Sequence, residues 1–357
     1  MTLETATAAF SGTEPPPENL QFDERALCAW IAGRLPGFDG PITVGKFKGG
    51  QSNPTYRIDT PAGSYVLRRK PPGPLRPTAH AIDREFRVLS ALAGTGVPIP
   101  LPHLYCTDEA VIGSEFYIVD AVEGMVHWSC ELPGMTPQYR KDYYVDLFRQ
   151  LAKLHAVDWR EAGLTGYGKS EGFTGRNLEL WYKTYCDTKA IEIPDMDWLA
   201  AALRERLPTD EPVSLIHGDY GNHNVIAAPS EPRIAAILDW EVSTIGNPLV
   251  DVAHTLRPWM EPPEPGKDRP TLADKDLQAM GVPEMAEIVD LYAQASGITW
   301  SDPAFYLAFA MFRYACMVQG VLHRYTIGTA SNTKTVHHQG RVVDIARKGR
   351  AILTEAA

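Results

Sequence analysis

Apolar positions follow a two-residue period in short runs along the first third of the chain, then a helical period through most of the remainder. Residues 23–34 put Leu27, Trp30 and Ile31 on one helical face. From 41 to 70 the runs ITVGKF, TYRID and SYVLRR alternate with turn signals at Gly49-Gly50 and Pro61-Ala62-Gly63, which predicts a three-stranded meander. A proline-rich loop (Pro71, Pro72, Pro74, Pro77) follows. Ile82, Phe86, Leu89 and Ala93 then recur at i, i+4, i+7 and i+11, as on a helix. Two strand-like runs near 103–107 and 115–120 come next. Beyond Glu123-Gly124, helical patterns cover 137–155, 173–187, 195–206, 247–259, 283–296, 302–324 and 337–352. Short β-type runs at Val225-Ile226 and 234–240 interrupt them, and no internal repeat is present. The pattern predicts an α+β chain with a β-rich lobe over 23–120, a larger helical lobe over 121–357 and a cleft between them. Residues 1–22 contain three consecutive prolines and neither the basic start nor the apolar core of a signal peptide, so they read as a disordered arm.

The 357 residues are enough for one large or two ordinary domains with real cores. A net charge of −10 argues against nucleic acid as the main partner, because phosphate neutralisation needs clustered Lys and Arg. The five cysteines are scattered without a CxxC pair, which disfavours a disulfide framework or structural zinc and suits a reducing, cytoplasmic setting. Residues 305–322 are the most membrane-like stretch. Arg313 and Gln319 interrupt it, so a buried core helix is the expectation and no membrane partner is called for. Charge is uneven along the chain. Residues 41–90 carry nine basic side chains (Lys46, Lys48, Arg57, Arg68, Arg69, Lys70, Arg76, Arg84, Arg87) against Asp59, Asp83 and Glu85, a net +6 that leaves −16 elsewhere. Such a concentration reads as an anion-facing surface, with a solvated charged face as the plain alternative.

Two familiar motifs coincide in one place, and context rejects both. Gly163 to Ser170 fits the phosphate-loop pattern, and Gly168-Lys169-Ser170-Glu171-Gly172 fits the nucleophile elbow. Each requires an apolar strand before it and a helix after it. Here a polar turn precedes and Glu-Gly-Phe-Thr-Gly follows, so the segment reads as a surface loop.

The informative stretch is 213–254. Val213-Ser214-Leu215-Ile216 leads into His217-Gly218-Asp219, with Asn224 five residues further on. A second strand reaches Asp239-Trp240-Glu241, and Gly246-Asn247-Pro248 opens a helix carrying Asp251. Phosphoryl transfer asks a protein to orient a hydroxyl and neutralise phosphate charge rather than to form covalent bonds. An Asp on a loop can accept the hydroxyl proton. An Asn carbonyl and one further carboxylate suffice as hard oxygen ligands for Mg²⁺, which retains several waters. The H-x-D-x-x-x-x-N spacing followed by a strand ending in Asp is a kinase arrangement. Taken singly, Asp219, Asn224 and Asp239 would read as turn or cap residues.

HGDYGNHNVI and ILDWEVSTIGNPLVDVAH resemble the aminoglycoside phosphotransferase family, also called the APH/choline-kinase-like group. GGQSNPTY, YVLRRKPPG, HAIDREFRVLSAL and TGVPIP resemble its branch found alone in bacteria or fused to acyl-CoA dehydrogenases. The resemblance covers about residues 41–325. It implies a bilobal protein-kinase-like fold and transfer of the γ-phosphate of ATP, with Mg²⁺, to a small-molecule hydroxyl. It implies Asp219 as catalytic base with His217 bracing its loop, Asn224 and Asp239 as Mg²⁺ ligands, and Asp251 as a structural carboxylate. Gly49, Gly50, Ser52 and Asn53 would form the nucleotide loop, and 116–122 the hinge contacting adenine. The sequence departs from the kinase pattern at the third-strand cation. Arg68 stands where a Lys is usual, with Glu85 as its expected helix partner, and Arg69 or Lys70 is the alternative phosphate contact. Arg313, inside an apolar helix, requires a partner: an internal salt bridge or a substrate anion.

Two acceptor classes compete. An aminoglycoside would want an acidic pocket. A hydroxyacyl-CoA would want cations, which Arg69 and Arg76 could offer as a second anion site. The branch resemblance favours the hydroxyacyl-CoA. A degenerate kinase serving as a nucleotide-binding or interaction module is the reading from another class, and Arg68 is its sole support.

Overall fold

The computed structural model describes residues 12–48, 53–72, 81–264, 270–328 and 339–356. The chain divides into two compact units. The first comprises Met1–Met125 with two later pieces, Ala162–Leu164 and Ala235–Glu241. The second holds Val126–Glu161, Thr165–Ile234 and Val242–Ala357.

The first unit is built on an antiparallel sheet of β1 (Thr13–Glu14), β2 (Thr43–Phe47), β3 (Thr55–Thr60), β4 (Gly63–Arg69), β5 (Pro102–Cys106) and β6 (Phe116–Asp120), in the order β1-β2-β3-β4-β6-β5. Helix α1 (Glu24–Ile31) starts where the Asp23 carboxylate accepts the amides of Arg25 and Ala26. Its Leu27 and Ile31 join Tyr56, Ile58, Leu67, Phe116 and Ile118 in the core. Helix α2 (Ile82–Leu92) packs on β5 and β6, with Phe86 stacked on Tyr105. Side chains of a strand alternate between faces. In β4 the buried positions are Leu67 and Arg69, and Arg68 lies on the other face.

Part of the segment expected to be a disordered arm is ordered in the fold. Residues 1–11 lie beyond those described, but Thr13 and Glu14 pair with Phe47 and Lys46. Tyr56 donates its hydroxyl to the Leu20 carbonyl at 2.8 Å and meets Phe22 edge-on. Covering the open edge of β2 and burying an aromatic ring supply the stabilisation that composition alone did not reveal.

The second unit contains α3 (Pro137–His155), α4 (Phe173–Thr188), α5 (Pro194–Glu205), α6 (Pro248–Thr255), α7 (Leu277–Met280), α8 (Met285–Ser296), α9 (Pro303–Thr326) and α10 (Gln339–Glu355). Its strands include β7 (Ser214–Ile216), β8 (Val225–Ala227) and β10 (Thr244–Gly246); β9 (Ile234–Ile237) begins in this unit and ends in the first. β7 and β10 pair antiparallel. Helix α9 is long and apolar enough to cross a membrane by length and composition, yet 83% of that stretch is buried within the protein. It packs against α4, α5, α6 and α10. The helix expected over 247–259 is shorter: Asn247 caps it through the Leu249 amide, and Pro258 prevents its continuation. β10 and α7 escape the sequence pattern because three or four residues are too few to express a period.

Candidate active site

The loop that leaves β7 is held by its own backbone. The amides of His217 and Gly218 donate to the two oxygens of Asp251, at 2.7 and 2.8 Å. Asp251 is fully buried. Burial raises its carboxyl, but the hydrogen bond and charge of His155 and the donors at His217 outweigh that, so it stays below the usual range. Gly218 has φ +85°, and a Cβ there would stand 2.9 Å from the Val242 carbonyl oxygen, so only glycine fits. Its own carbonyl accepts from Arg313 Nη2 at 2.6 Å.

This geometry presents Asp219 with both carboxylate oxygens engaged. Oδ1 faces His254 Nε2 at 3.0 Å. Oδ2 accepts from Asn224 Nδ2 at 3.1 Å and faces His223 Nε2 at 3.4 Å. Burial raises the Asp219 carboxyl, but the contacts with His223 and His254 hold it far below the normal carboxylate range. The side chain remains 35% exposed. His223 and His254 also line a partly open cavity of about 120 Å³, whose other walls include Trp128, Tyr144, Leu147 and Trp259.

The first unit gathers a second polar cluster. Arg68 Nε meets Glu85 Oε2 at 2.8 Å, and Nη2 meets Asp239 Oδ1 at 2.9 Å, with Glu241 at 3.7 Å. Glu85 also accepts from Asn53 Nδ2 and from the Tyr117 hydroxyl, each at 2.9 Å. Burial raises the Glu85 carboxyl against the opposing charge of Arg68. Asp239 has φ +62°, a left-handed conformation uncommon for a residue with a side chain. Because Arg68 answers both the buried Glu85 and the 35% exposed Asp239, the charge on Asp239 is only partly neutralised. A half-exposed carboxylate of this kind fits a hydrated Mg²⁺, which needs only one or two protein carboxylates. Among the described residues no cluster of three or more His, Cys, Asp or Glu forms a ready-made metal cage.

Several sequence expectations meet a different geometry. Gly49, Gly50, Ser52 and Arg76 lie outside the described residues. Asn53, expected in the nucleotide loop, is buried with its side-chain amide bonded to Glu85. By contrast His217, the residue expected to brace the loop, is wholly buried, and its Nδ1 accepts the Asp219 amide at 3.2 Å. Arg69 is not a surface cation. It is 2% exposed, donates to Ser114 Oγ at 2.9 Å and lies over the Phe22 ring. Strand alternation turns it inward, away from the face of Arg68. Lys70 pairs with Glu115 at 2.9 Å. Arg313 has no internal salt bridge among the described residues; it donates to the main-chain carbonyl of Gly218. The 163–170 segment has turns where a phosphate loop needs a strand and a helix, and α4 begins only at Phe173.

The sequence reading did not single out His254 or Tyr117. For His254 a signal exists, since it stands three residues after Asp251 on one helix and therefore shares its face. Tyr117 offers none beyond its strand alternation with Phe116.

Comparison with known proteins agrees with this architecture. Acyl-CoA dehydrogenase family member 11 of Pongo abelii is 38% identical over 337 residues, which is 92% of this chain but 43% of that protein, so the chain spans less than half of this relative. The crystal structure of a candidate aminoglycoside phosphotransferase from Ralstonia eutropha is 40% identical, with a TM-score of 0.85 over 94% of this chain and 99% of the other. A choline kinase from Cryptosporidium parvum shares the fold, with a TM-score of 0.62 at 12% identity over 94% and 97% of the two chains. The kinase-like fold is thus shared by this chain and both of these solved structures. The family model described as the phosphotransferase enzyme family, APH, matches residues 43–288, and the chain belongs to that family.

Proposed function

We propose that this APH-family phosphotransferase moves the γ-phosphate of Mg·ATP to a hydroxyl of a small molecule, with Asp219 orienting that hydroxyl and taking its proton. The observation that carries this reading is the Asp219 carboxylate, ionised, held at both oxygens and still one-third open, beside a cavity that shares His223 and His254 with it. A base fixed by three side chains needs no reorganisation as the hydroxyl attacks. Asn224 and Asp239 are the oxygen ligands this reading assigns to Mg²⁺, which would neutralise phosphate charge when bound. Arg68 supplies a permanent cation beside Asp239, and its planar guanidinium suits phosphate oxygens.

For the acceptor we favour a hydroxyl on an acyl-CoA over an aminoglycoside. Two observations support this. The relatives bear acyl-CoA dehydrogenase names. Four aromatic side chains, Trp128, Tyr144, Tyr220 and Trp259, are among those lining the cavity, and the carboxylate of Glu261 is already paired with Arg257 and Arg341. A polycation would find little unpaired negative charge there. The test is phosphate transfer from γ-labelled ATP to a panel of hydroxyacyl-CoAs and aminoglycosides. Asp219→Asn should lower turnover by roughly two or more orders of magnitude, with ATP affinity within a few-fold. Near-normal turnover in that variant removes the assignment, and preferential labelling of an aminoglycoside removes the acceptor class.

A further inference from the structure

Helix α6 does more than brace the loop's backbone. Its Asp251 holds the amides of His217 and Gly218, and its Thr255 Oγ donates to the Tyr220 carbonyl at 3.2 Å. Between these two, His254 reaches Asp219 at 3.0 Å. Consecutive loop residues are thus gripped by one face of one helix, and at Asp219 the grip falls on the side chain rather than the main chain. A carboxylate can only accept, so the hydrogen in the His254–Asp219 contact sits on Nε2 of the imidazole. His254 is 2% exposed, and its other nitrogen, Nδ1, is buried with no hydrogen-bond partner among the described residues. Arg313 from α9 and Arg257 just beyond α6 face it with positive charge, and Asp219 with negative. Burial, together with the two arginines, pushes the imidazole down to about 4 despite Asp219, which leaves it neutral at physiological pH.

We propose that His254 is a positioning residue for phosphoryl transfer: its neutral Nε2–H fixes Oδ1 of Asp219, so that the carboxylate meets the acceptor hydroxyl in one orientation. The inference rests on the reading of Asp219 as the group that takes the hydroxyl proton. His223 is the weaker of the two imidazole contacts, longer at 3.4 Å and 37% exposed. Without His254, Asp219 keeps its Oδ2 partners but can swing about them, and a misplacement of this order costs turnover rather than binding.

Steady-state ADP release, with Mg·ATP alone (water as acceptor) and with a medium-chain hydroxyacyl-CoA, separates the outcomes. His254→Leu removes the donor and should lower kcat by about 10- to 100-fold while the KM for ATP stays within about three-fold. His254→Gln places an amide N–H near the lost Nε2–H and should recover turnover to within about five-fold of the parent. Equal loss in Leu and Gln variants, or an unchanged kcat in the Leu variant, overturns the proposal. Asp219→Asn in the same assay keeps the two readings apart. If it retains turnover, the assignment of Asp219 fails. If it loses turnover while His254→Leu does not, only the role of His254 fails. Spectra of ¹⁵N-labelled histidine give a readout free of activity. They should show His254 as the neutral Nε2–H tautomer, and a cationic or Nδ1–H form would overturn the proposal by itself.

Discussion

Replacing Arg68 by Met probes the departure from the usual kinase pattern and the cost of leaving a carboxylate buried alone. Arg68 is 13% exposed and Glu85 1%, so their 2.8 Å pair sits largely out of water. Removing one partner of a buried ion pair costs about 3–5 kcal/mol, because the remaining charge stays desolvated. Two neutral donors to Glu85 survive, Asn53 and Tyr117, which places the expected loss toward the lower end, about 3 kcal/mol. Asp239 loses its partner too, but at 35% exposure water can replace it. The reasoning has a sharper consequence in the double variant. Glu85→Gln removes the buried charge while keeping groups able to bond Asn53 and Tyr117. Adding it to Arg68→Met should therefore restore about 2 kcal/mol rather than cost more. Equilibrium urea unfolding of the parent, both single variants and the double variant measures the cycle. A loss below about 1 kcal/mol for Arg68→Met, or a double variant weaker than the Met single variant, would refute the account of Arg68 as the counter-charge of Glu85.

Two further outcomes follow from the same structure. Arg69→Met should lower unfolding stability by about 1–3 kcal/mol through the orphaned Ser114 contact, while the KM for ATP and for an acyl-CoA stays unchanged, as side-by-side unfolding and steady-state kinetics can establish. Asp251→Asn leaves one of two loop amides facing an N–H rather than an oxygen. It should cost about 2–3 kcal/mol in urea unfolding together with at least a ten-fold drop in kcat, and a variant stable yet fully active would contradict it.

The long elements were legible because they bury one face. Helix α3 is bounded as its period indicates, over Pro137–His155, and α9 reads as a core helix despite its apolarity because Arg313 and Gln319 stand inside it. The loop around Asp219 was legible for a different reason: its residue types sit at a spacing that phosphoryl transfer requires. What remained hidden depends on direction rather than on sequence distance. A strand tells that Arg68 and Arg69 face opposite ways, but not which of them faces the core. That choice is made by Leu67 and Phe116 taking the α1 side of the sheet, which carries Arg69 inward with them. His254 was hidden by a similar gap. Its shared face with Asp251 can be counted along the helix, whereas its contact with Asp219 depends on how the β7 loop turns at Gly218.

The +6 of residues 41–90 suggested an anion-facing surface, yet the structure uses several of these cations internally. Arg57 serves Asp59 and Ser64, Arg68 serves Glu85 and Asp239, Arg69 serves Ser114, and Lys70 serves Glu115. A cation already paired at 2.8–2.9 Å must break that pair before it can bind a ligand phosphate, so formal charge overstates what the surface offers. Of these, only Arg68 stands beside a carboxylate assigned to Mg²⁺, where an incoming metal could take its place at Asp239 and an incoming phosphate could take the freed guanidinium. The preference for an acyl-CoA therefore no longer rests on surplus cations. It rests on the second unit, where the cavity beside Asp219 has an aromatic wall and where Glu261 is shared among Arg257, Arg341 and the Tyr314 hydroxyl. A carboxylate with three partners has little left for an ammonium group, and the aromatic rings in the lining can pack on an apolar chain. Acceptor choice, on this argument, is set by what the cavity leaves unpaired rather than by the net charge of either unit.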